Sequence, residues 1–565
     1  MSKAKENVSL RCQDGIAGSK RSSGFRAALL AGSCLTLFAG HVPAAHALQL
    51  YSGTYGGQDL EINLDTTVEY SNIFRVSRPS KVLTNSLTAS YGDLSFQHGL
   101  VDNTFSVSPI FDLKWGTWGV HVSGEAYLDT PYLGTNQYDS AIPPAGVVAK
   151  NNDFPSGTRN IQGQNAILLD AFVTKSFNFG ANNDQGATIR FGRQTVYWGQ
   201  SLIFTGNGVA AGQGPIDINK ELSQPGALAQ QLFLPVGQVV ASYQPNQVVT
   251  LQGYYQFEYA PDTFEGSGAY FNANDMLDKG AAYLILAQDP YYGIYPGYPA
   301  YFSASRIKDN RPTHNGQFGV SAQFTVGDYD LGLYALRFDS KQPEIYIGHF
   351  AGPLPTTYKL VYPRDIAIYG ASVSTDIGPA NVGAEVSGRT NMPLVTGAGA
   401  DIFGTGNANS NPLYPVGDTF HAQASTIYLS PGIPLDPGGL TVDGEVEFNH
   451  VLEVTKNKAL LTPGRDATAA AFGLFVTPTY YSVLPNLEVQ FPITLVYNAL
   501  GRSQIDASMN HGTGQYSVGV TGIYRTTWQA ALTYQSYIGA PNPTLAGDAS
   551  LADRGFVSFN IQHTF

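Results

Sequence analysis

Seven polar and aromatic side chains cluster where a strand-like stretch runs into a glycine-rich one, FGRQTVYWGQSLIFTGNGVAAGQGPID at residues 191–217. Charged, amide and indole groups of this kind orient small ligands in binding sites. The candidates for a ligand-contact or constriction set are Arg190, Arg193, Gln194, Trp198, Asn207, Asp217 and Lys220. A structural alternative stays open, in which glycines and Pro215 shape a kinked loop and Arg193 pairs with a carboxylate such as Asp170.

Acidic residues alternate along a later segment. Asp443, Glu445 and Glu447 occupy every second position, so a strand would place all three on one face. With Asp170 they would form an acidic wall, whose field disfavours anions. The alternative is that these carboxylates pair with arginines across strands and only keep the wall hydrated. The same wall would also carry Glu61, Asp65, Glu69, Glu125, Asp129 and Glu385, with Arg190 and Arg389 as bases.

Sequence motifs for catalysis do not occur. G-x-S-x-G, H-E-x-x-H and G-x-x-x-x-G-K-[ST] are missing from the chain. Histidines such as His121, His421 and His450 are scattered without metal-ligand spacing. We therefore expect no enzyme, cofactor or metal, although a barrel hydrolase could carry Ser, His and Asp on separate strands. The net charge of −12 argues against a nucleic-acid partner.

The N-terminal 47 residues have the pattern of a secretory signal peptide. A basic end precedes the apolar run AALLAGSCLTLFAG at 27–40, and AHA at 45–47 is a small-x-small cleavage site. The mature chain, 48–565, would have a formal charge of −16, because residues 1–47 hold six of the 31 basic and two of the 43 acidic residues. Both cysteines, Cys12 and Cys34, would be removed, unless Cys34 is lipidated. Stability would then come from a hydrogen-bonded framework without disulfides.

Side chains alternate with period two, which predicts strands. The final segment GFVSFNIQHTF places Val557, Phe559 and Ile561 on one face and Ser558, Asn560 and Gln562 on the other. Many such segments reach ten residues, enough to cross a bilayer at a tilt. After Gly40 no run of 18 apolar residues occurs that could form a membrane helix.

Connections alternate between short and long. Tight turns at 116–119, 245–246, 327–328, 378–381 and 485–486 separate long polar stretches at 77–104, 131–164, 261–314 and 393–420. This arrangement predicts an all-β fold, a transmembrane antiparallel β-barrel of the outer membrane with about 18 strands, or 16 as the alternative, and long extracellular loops. Strands are expected to start near Asp59, Phe105, Val120, Asn165, Ala187, Gly237, Val248, Asn315, Tyr329, Asp365, Ala380, His421, Leu440, Ala469, Leu487, Gln515, Thr527 and Phe556.

The connection at 204–236 is too long and too apolar for a surface loop, so we expect it to fold into the lumen as a plug or constriction. Leu222, Leu228 and Leu232 would be its apolar anchors, and Tyr197 and Trp198 would belong to the interfacial aromatic girdle. The aromatic run YYGIYPGYPAYF at 291–302 could meet a hydrophobic or sugar ligand. Alternatively, it packs on itself or contacts lipopolysaccharide.

The motifs LDAF (169–172), RFGRQ (190–194), YWGQS (197–201), GNG (206–208), PID (215–217) with Lys220, PGA (225–227), LP (234–235) and GYYQF (253–257) resemble the proteobacterial outer-membrane family known as domain of unknown function 1302. The resemblance implies a barrel, and as an outer-membrane barrel the chain is expected to contact lipid and lipopolysaccharide. It also implies a periplasmic lipid-carrier-like partner and an inner-membrane exporter of the resistance-nodulation-division type, without assigned catalytic residues.

These expectations predict an outer-membrane channel or transport protein for hydrophobic or amphipathic small molecules or lipids, gated by the inward loop. The resemblance, with its implied involvement of steroids or lipids, supplies the substrate class. The alternatives are a general diffusion porin for polar solutes, a structural component of an envelope complex, and a barrel enzyme.

Overall fold

The computed structural model describes residues 48–138, 152–180, 184–277, 279–291, 294, 300–430 and 438–565. The predicted signal peptide, both cysteines and Tyr292, Tyr295 and Tyr298 of the aromatic run lie outside the described residues. The strands, in chain order, are β1 (Leu48–Tyr55), β2 (Gln58–Arg75), β3 (Gly99–Trp115), β4 (Trp118–Asp129), β5 (Gln164–Phe179), β6 (Gln185–Gln194), β7 (Val236–Gln244), β8 (Val249–Gln256), β9 (Tyr283–Gln288), β10 (Tyr301–Arg306), β11 (Gln317–Val326), β12 (Tyr329–Phe338), β13 (Glu344–Ala351), β14 (Leu354–Val361), β15 (Ile366–Ile377), β16 (Ala380–Pro393), β17 (Gly399–Asp401), β18 (Val416–Ser430), β19 (Gly439–Lys456), β20 (Thr468–Leu484), β21 (Leu487–Gln490), β22 (Ile493–Leu500), β23 (Gly514–Tyr524), β24 (Trp528–Ile538) and β25 (Phe556–Thr564).

Most of these strands form one closed antiparallel barrel. Each wall strand pairs with the next wall strand in the chain, and β25 closes the circle on β2, with Thr67 opposite Thr564. β21 and β22 are one wall strand interrupted at Phe491 and Pro492, since both pair with β20 and β23. In the described part of the chain the wall therefore has 18 strands, which confirms the predicted barrel and makes the alternative of 16 wrong.

The outer face of the wall is apolar. On β6, Ile189 and Phe191 are exposed, whereas Arg190 and Gln194 on the opposite face are partly or fully covered. Closing the sheet pairs every wall strand on both sides, as hydrocarbon requires. The molecule is an outer-membrane barrel, with its exposed aliphatic and aromatic side chains against lipid. Among the described residues, no helix has the length and apolar character of a membrane span.

Sequence periodicity placed most strand starts within about two residues of the observed ones. Two starts were wrong: β3 begins at Gly99 rather than near Phe105, and β18 begins at Val416 rather than near His421. Both strands extend past the membrane into polar loop-like sequence, where alternation is weak. β1 was not predicted; it pairs only with the first half of β2, below the end of β25.

The long loops on one rim fold together. Parts of three loops form a five-stranded sheet in the order β17-β13-β14-β10-β9, which the sequence analysis did not predict. The first and last long loops share buried ion pairs, because Arg75 and Arg554 both reach Asp93 at 2.8 Å. Tyr270 from the longest loop lies against both guanidinium groups at 5.6 Å. The short helices in these connections are α1 (Lys81–Thr84), α2 (Tyr91–Ser95), α3 (Thr130–Leu133), α4 (Ser156–Thr158), α5 (Ile218–Ser223) and α6 (Ala229–Leu232).

Candidate functional site: the inward loop and the lumen wall

The connection between β6 and β7, residues 195–235, leaves the rim and crosses the lumen. It carries α5 and α6, and it reaches β16, β18 and β19. β19 is eight wall strands away from β6 in an 18-stranded circle, so the loop spans nearly the full diameter. The loop thus reaches the far side of the barrel, and its contacts there decide how firmly it is held.

Glu445 on β19 is the strongest single anchor. Its carboxylate accepts hydrogen bonds from three consecutive backbone amides, those of Leu202 (3.1 Å), Ile203 (2.5 Å) and Phe204 (2.9 Å). The side chain is buried, at 2% exposure, and charge-assisted bonds are strongest in such surroundings. Neither reading of the acidic wall anticipated this role, because the carboxylate serves the loop backbone rather than an arginine or open water.

Glu385 on β16 makes a second contact of the same kind. It accepts the amides of Gln200 (2.7 Å) and Val209 (2.5 Å), and so holds both ends of the turn between them. Gly199 has a positive φ of 96°, and a Cβ there would overlap the Glu385 carboxylate. Glycine is therefore required at 199 both by its backbone conformation and by the closeness of the wall.

The loop carbonyls are held by a wall cation. Arg389 on β16 donates to the carbonyl oxygens of Gly206 (3.0 Å), Asn207 and Gly208 (3.0 Å). The Asn207 side chain donates to the carbonyl of Ala422 (3.0 Å) and shares a 2.9 Å hydrogen bond with Nδ1 of His421. Asn207, a predicted ligand contact, is thus a buried anchor of the loop.

The position of Trp198 shows that the prediction of an interfacial girdle at this residue was wrong. It does not belong to the interfacial girdle, because its ring is 3% exposed and packs inside the barrel against Tyr254 (5.2 Å between centroids). Its Nε1 donates to Oε1 of Gln252 at 2.9 Å. Tyr197 also turns inward and packs edge-on against Phe233 of the same loop. Position near a strand end suggested the girdle, but the chain turns into the lumen at this point.

Small residues in the wall make room for the loop. A Cβ on Gly473 of β20 would lie 2.8 Å from Cδ1 of Ile203, and one on Gly370 of β15 would lie 2.6 Å from Cγ2 of Val209. Glycine inside a strand marks such a close approach. These wall glycines were available in the sequence as a signal for the docking surface, and sequence reasoning did not use them.

Two more predicted residues stabilise the base of the loop. Arg193 forms an ion pair with Glu258 at 2.5 Å, not with Asp170, and Glu258 also accepts the amide of Gly237 (2.6 Å). The Gln194 side chain is fully buried and donates to the carbonyl of Gln238 (3.2 Å). Both therefore join β6 to the strand that follows the loop.

Buried charges at the rim hold the loop near α5. Asp262 accepts the amide of Ile216 at 2.8 Å, and burial raises its pKa to about 6. Lys341 bonds to Gln317 and lies over the Tyr259 ring, and burial lowers its pKa to about 8 although nearby carboxylates oppose the shift.

The wall opposite these anchors stays uncovered. Residues 60–69 of β2 include no buried side chain, whereas β19 alternates buried and partly exposed residues under the loop. On the uncovered side His121 pairs with Asp112 (2.7 Å) and stacks on Phe172, and Arg190 lies over the same ring at 5.6 Å. The inner side chains of β2 are thus less covered than those of β19.

The remaining candidates divide between these two sides. Asp443 and Glu447 are buried in the covered wall beside Glu445, whereas Asp170 is half-buried near Ser123 on the uncovered side. Asp217 caps α5 by accepting the amide of Lys220 (3.1 Å), and both side chains remain partly exposed. Within the described ranges, no group of three or more His, Asp or Glu could hold a metal ion.

Comparisons with known proteins identify a family. The family model with the description "Protein of unknown function (DUF1302)" matches residues 25–565. No curated protein matches the chain.

Several solved structures match the chain at low similarity. OccAB4 of Acinetobacter baumannii has 8% identity and a TM-score of 0.42, covering 89% of this chain and 98% of its own. A BenF-like porin of Pseudomonas fluorescens Pf-5 has 10% identity and a TM-score of 0.40, with 90% and 98% covered. The outer membrane channel DcaP of A. baumannii has 11% identity and a TM-score of 0.33, with 91% and 100% covered. Similarity at this level carries no information on substrate.

Proposed function

The chain belongs to the DUF1302 family, and we propose that it is an outer-membrane channel for small molecules, narrowed by its inward loop. The observation that supports this most is the asymmetry of the lumen. One side of the wall, at β16 to β19, is covered by a loop held at Glu445, Glu385 and Arg389, whereas residues 60–69 of β2 on the other side are partly exposed. A barrel that served only as a scaffold would not need a hydrated strip along one wall.

The chemistry of the uncovered wall favours polar solutes. Asp65, Glu69, Asp112 and Glu125 are partly exposed on its inner face. Carboxylates in a narrow lumen repel anions and raise the local concentration of cationic groups. We therefore place a polar solute first, which was the porin alternative of the sequence analysis.

A hydrophobic or amphipathic substrate is the second candidate. It rests on the resemblance to the family, as do a periplasmic lipid-carrier-like partner and a resistance-nodulation-division exporter. Growth of a deletion strain on steroids or hydrocarbons tests it, because only that reading predicts a defect confined to such compounds.

Conductance tests the channel itself. The purified protein in a planar bilayer should give steady small steps, and deletion of residues 206–234 should raise the step size sharply, because the loop would no longer occupy the lumen. Equal steps with and without the loop would show that it does not narrow the passage. Absence of conductance in both proteins, together with loss of a partner complex in the deletion strain, would favour a scaffold.

A further inference from the structure

Five glutamine side chains are buried together where the base of the inward loop meets the wall. On β7, β8 and β11 they occupy neighbouring register positions, with Gln238 opposite Gln256 and Gln256 opposite Gln317. Gln194 ends β6 beside Gln238, and Gln213 lies on the loop against Gln256. None of the five is more than 1% exposed. Residues directly opposite in a sheet point their side chains to the same face, so these amide groups meet on the inner surface.

Three of these amides present an unsatisfied oxygen. The Nε2 atoms of Gln194 and Gln238 each donate to the other residue's backbone carbonyl, at 3.2 and 2.7 Å. Gln256 Nε2 donates to the carbonyl of Gln213 at 2.6 Å. A half-turn of any of the three amides would set its oxygen against a carbonyl oxygen, so the nitrogen has to stay where it is. The Oε1 atoms of all three are buried acceptors, and among the described residues they have no hydrogen-bond partner.

The other two amides present an unsatisfied nitrogen. Gln213 Oε1 accepts the backbone amide of Trp198 at 2.6 Å, and Gln317 Oε1 accepts that of Asp339 at 3.1 Å. Lys341 also donates to the Gln317 oxygen. The Nε2 atoms of Gln213 and Gln317 are therefore fixed on the opposite side, as buried donors that no described residue satisfies. The cluster thus combines three free acceptors with two free donors.

We propose that these five glutamines form a binding site for ordered water molecules, which join the base of the inward loop to β7, β8 and β11. A buried polar atom without a partner is strongly unfavourable, so five such atoms at one joint require a ligand. Water fits because it donates and accepts hydrogen bonds and is small enough for a fully buried space. Such a site would seat the loop whatever solute passes through the channel.

Radiolytic labelling of buried tyrosines tests for bound water in the intact protein. X-rays split water molecules wherever they lie, so hydroxyl radicals form at a bound water and oxidise the ring beside it. Tyr254 lies between Gln252 and Gln256 on the inner face of β8, and its buried hydroxyl has no partner among the described residues. Tyr358 is the matched control, because it is also buried but its hydroxyl donates to the carbonyl of Met276 at 3.1 Å. We expect X-rays to oxidise Tyr254 about tenfold faster than Tyr358.

A pair of double variants links the labelling to the glutamines. Gln238→Met with Gln256→Met removes two of the free acceptors and should lower the X-ray oxidation of Tyr254 to the rate of the control tyrosine. Gln529→Met with Gln562→Met is the matched control, because these glutamines also pair in register but are partly exposed on β24 and β25. It should leave the oxidation of Tyr254 unchanged. Fast oxidation that survives in the first variant overturns the water site.

Radicals generated in the bulk solvent by iron and peroxide separate bound water from opening of the loop. They reach a side chain only through open solvent, so in the native protein Tyr254 should react with them as slowly as Tyr358 does. This comparison needs no variant and stands even where a substitution impairs folding. Equal oxidation of the two tyrosines by X-rays overturns the water site. Fast oxidation of Tyr254 by both radical sources also overturns it, and shows instead that the loop lifts and admits solvent.

Discussion

Removal of the Glu445 carboxylate should release the inward loop. Glu445→Ala removes the acceptor of three backbone amides at 3.1, 2.5 and 2.9 Å. Each hydrogen bond to a charged group contributes about 1.5–3 kcal/mol, and water entering the vacated space recovers part of the sum. We expect a net loss of about 3–5 kcal/mol, which raises the equilibrium constant for undocking by a factor of roughly 10² to 4 × 10³.

Single-channel recording measures this release. The native protein should show one stable level, because Glu385 and Arg389 assist Glu445 in holding the loop. The variant should show frequent transitions to a larger conductance, and added protease should cut within the loop at an increased rate.

A matched variant separates loop release from general damage to the strand. Glu453 also lies on β19, but its side chain is exposed and does not accept hydrogen bonds from the loop amides. The variant Glu453→Ala should therefore behave as the native protein does. A stable single level in Glu445→Ala, together with unchanged protease resistance, would refute the view that carboxylate–amide bonds hold the loop.

Three further variants probe the wall and the outer loops. Gly473→Leu should displace Ile203, since a Cβ alone would reach 2.8 Å from its Cδ1, and should raise channel noise without unfolding the barrel. Arg554→Met leaves Asp93 with one of its two buried partners and should lower the stability of the outer loops by about 3 kcal/mol, measured by hydrogen exchange. Burial raises the pKa of Asp275 to about 7, so its contribution to stability is complete below about pH 4 and is lost as pH rises through 7. Thermal unfolding from pH 4 to 7 should show this decline, and Asp275→Asn should make it smaller, because Asp262 also has a raised pKa and still contributes.

Much of the barrel could be predicted because its physics is local to each strand. Lipid on one side and a hydrated lumen on the other impose period two on residues such as Thr188, Ile189, Arg190 and Phe191, and this signal needs no knowledge of neighbours. Once the strands and the tight turns are placed, the lengths of the long loops between them are fixed. The five-stranded sheet of the outer loops was not predictable in this way, because its short strands are covered by other loops rather than by lipid.

The candidate site was predictable in composition but not in role. Sequence reasoning placed Glu445 and Asn207 among residues that face the lumen, and both do. It assigned Trp198 both to the constriction set and to the interfacial girdle, and the ring lies inside the barrel. It could not say that they hold the loop rather than a ligand, because residues 202–204 and 445 are more than 240 positions apart. Lys220 stood in the same set, and its partly exposed position separates it from those buried anchors.

By itself the sequence determined the alternation of apolar and polar side chains along the strands, the location in the outer membrane, and the existence of a long apolar connection between β6 and β7. Only the tertiary structure decided which half of the wall that connection covers, since strand closure brings β16 to β19 across from β6. The physical reason is that the hydrophobic pattern of a strand depends only on the residues of that strand. The role of a wall carboxylate depends instead on which backbone amides the closed barrel brings within hydrogen-bonding distance.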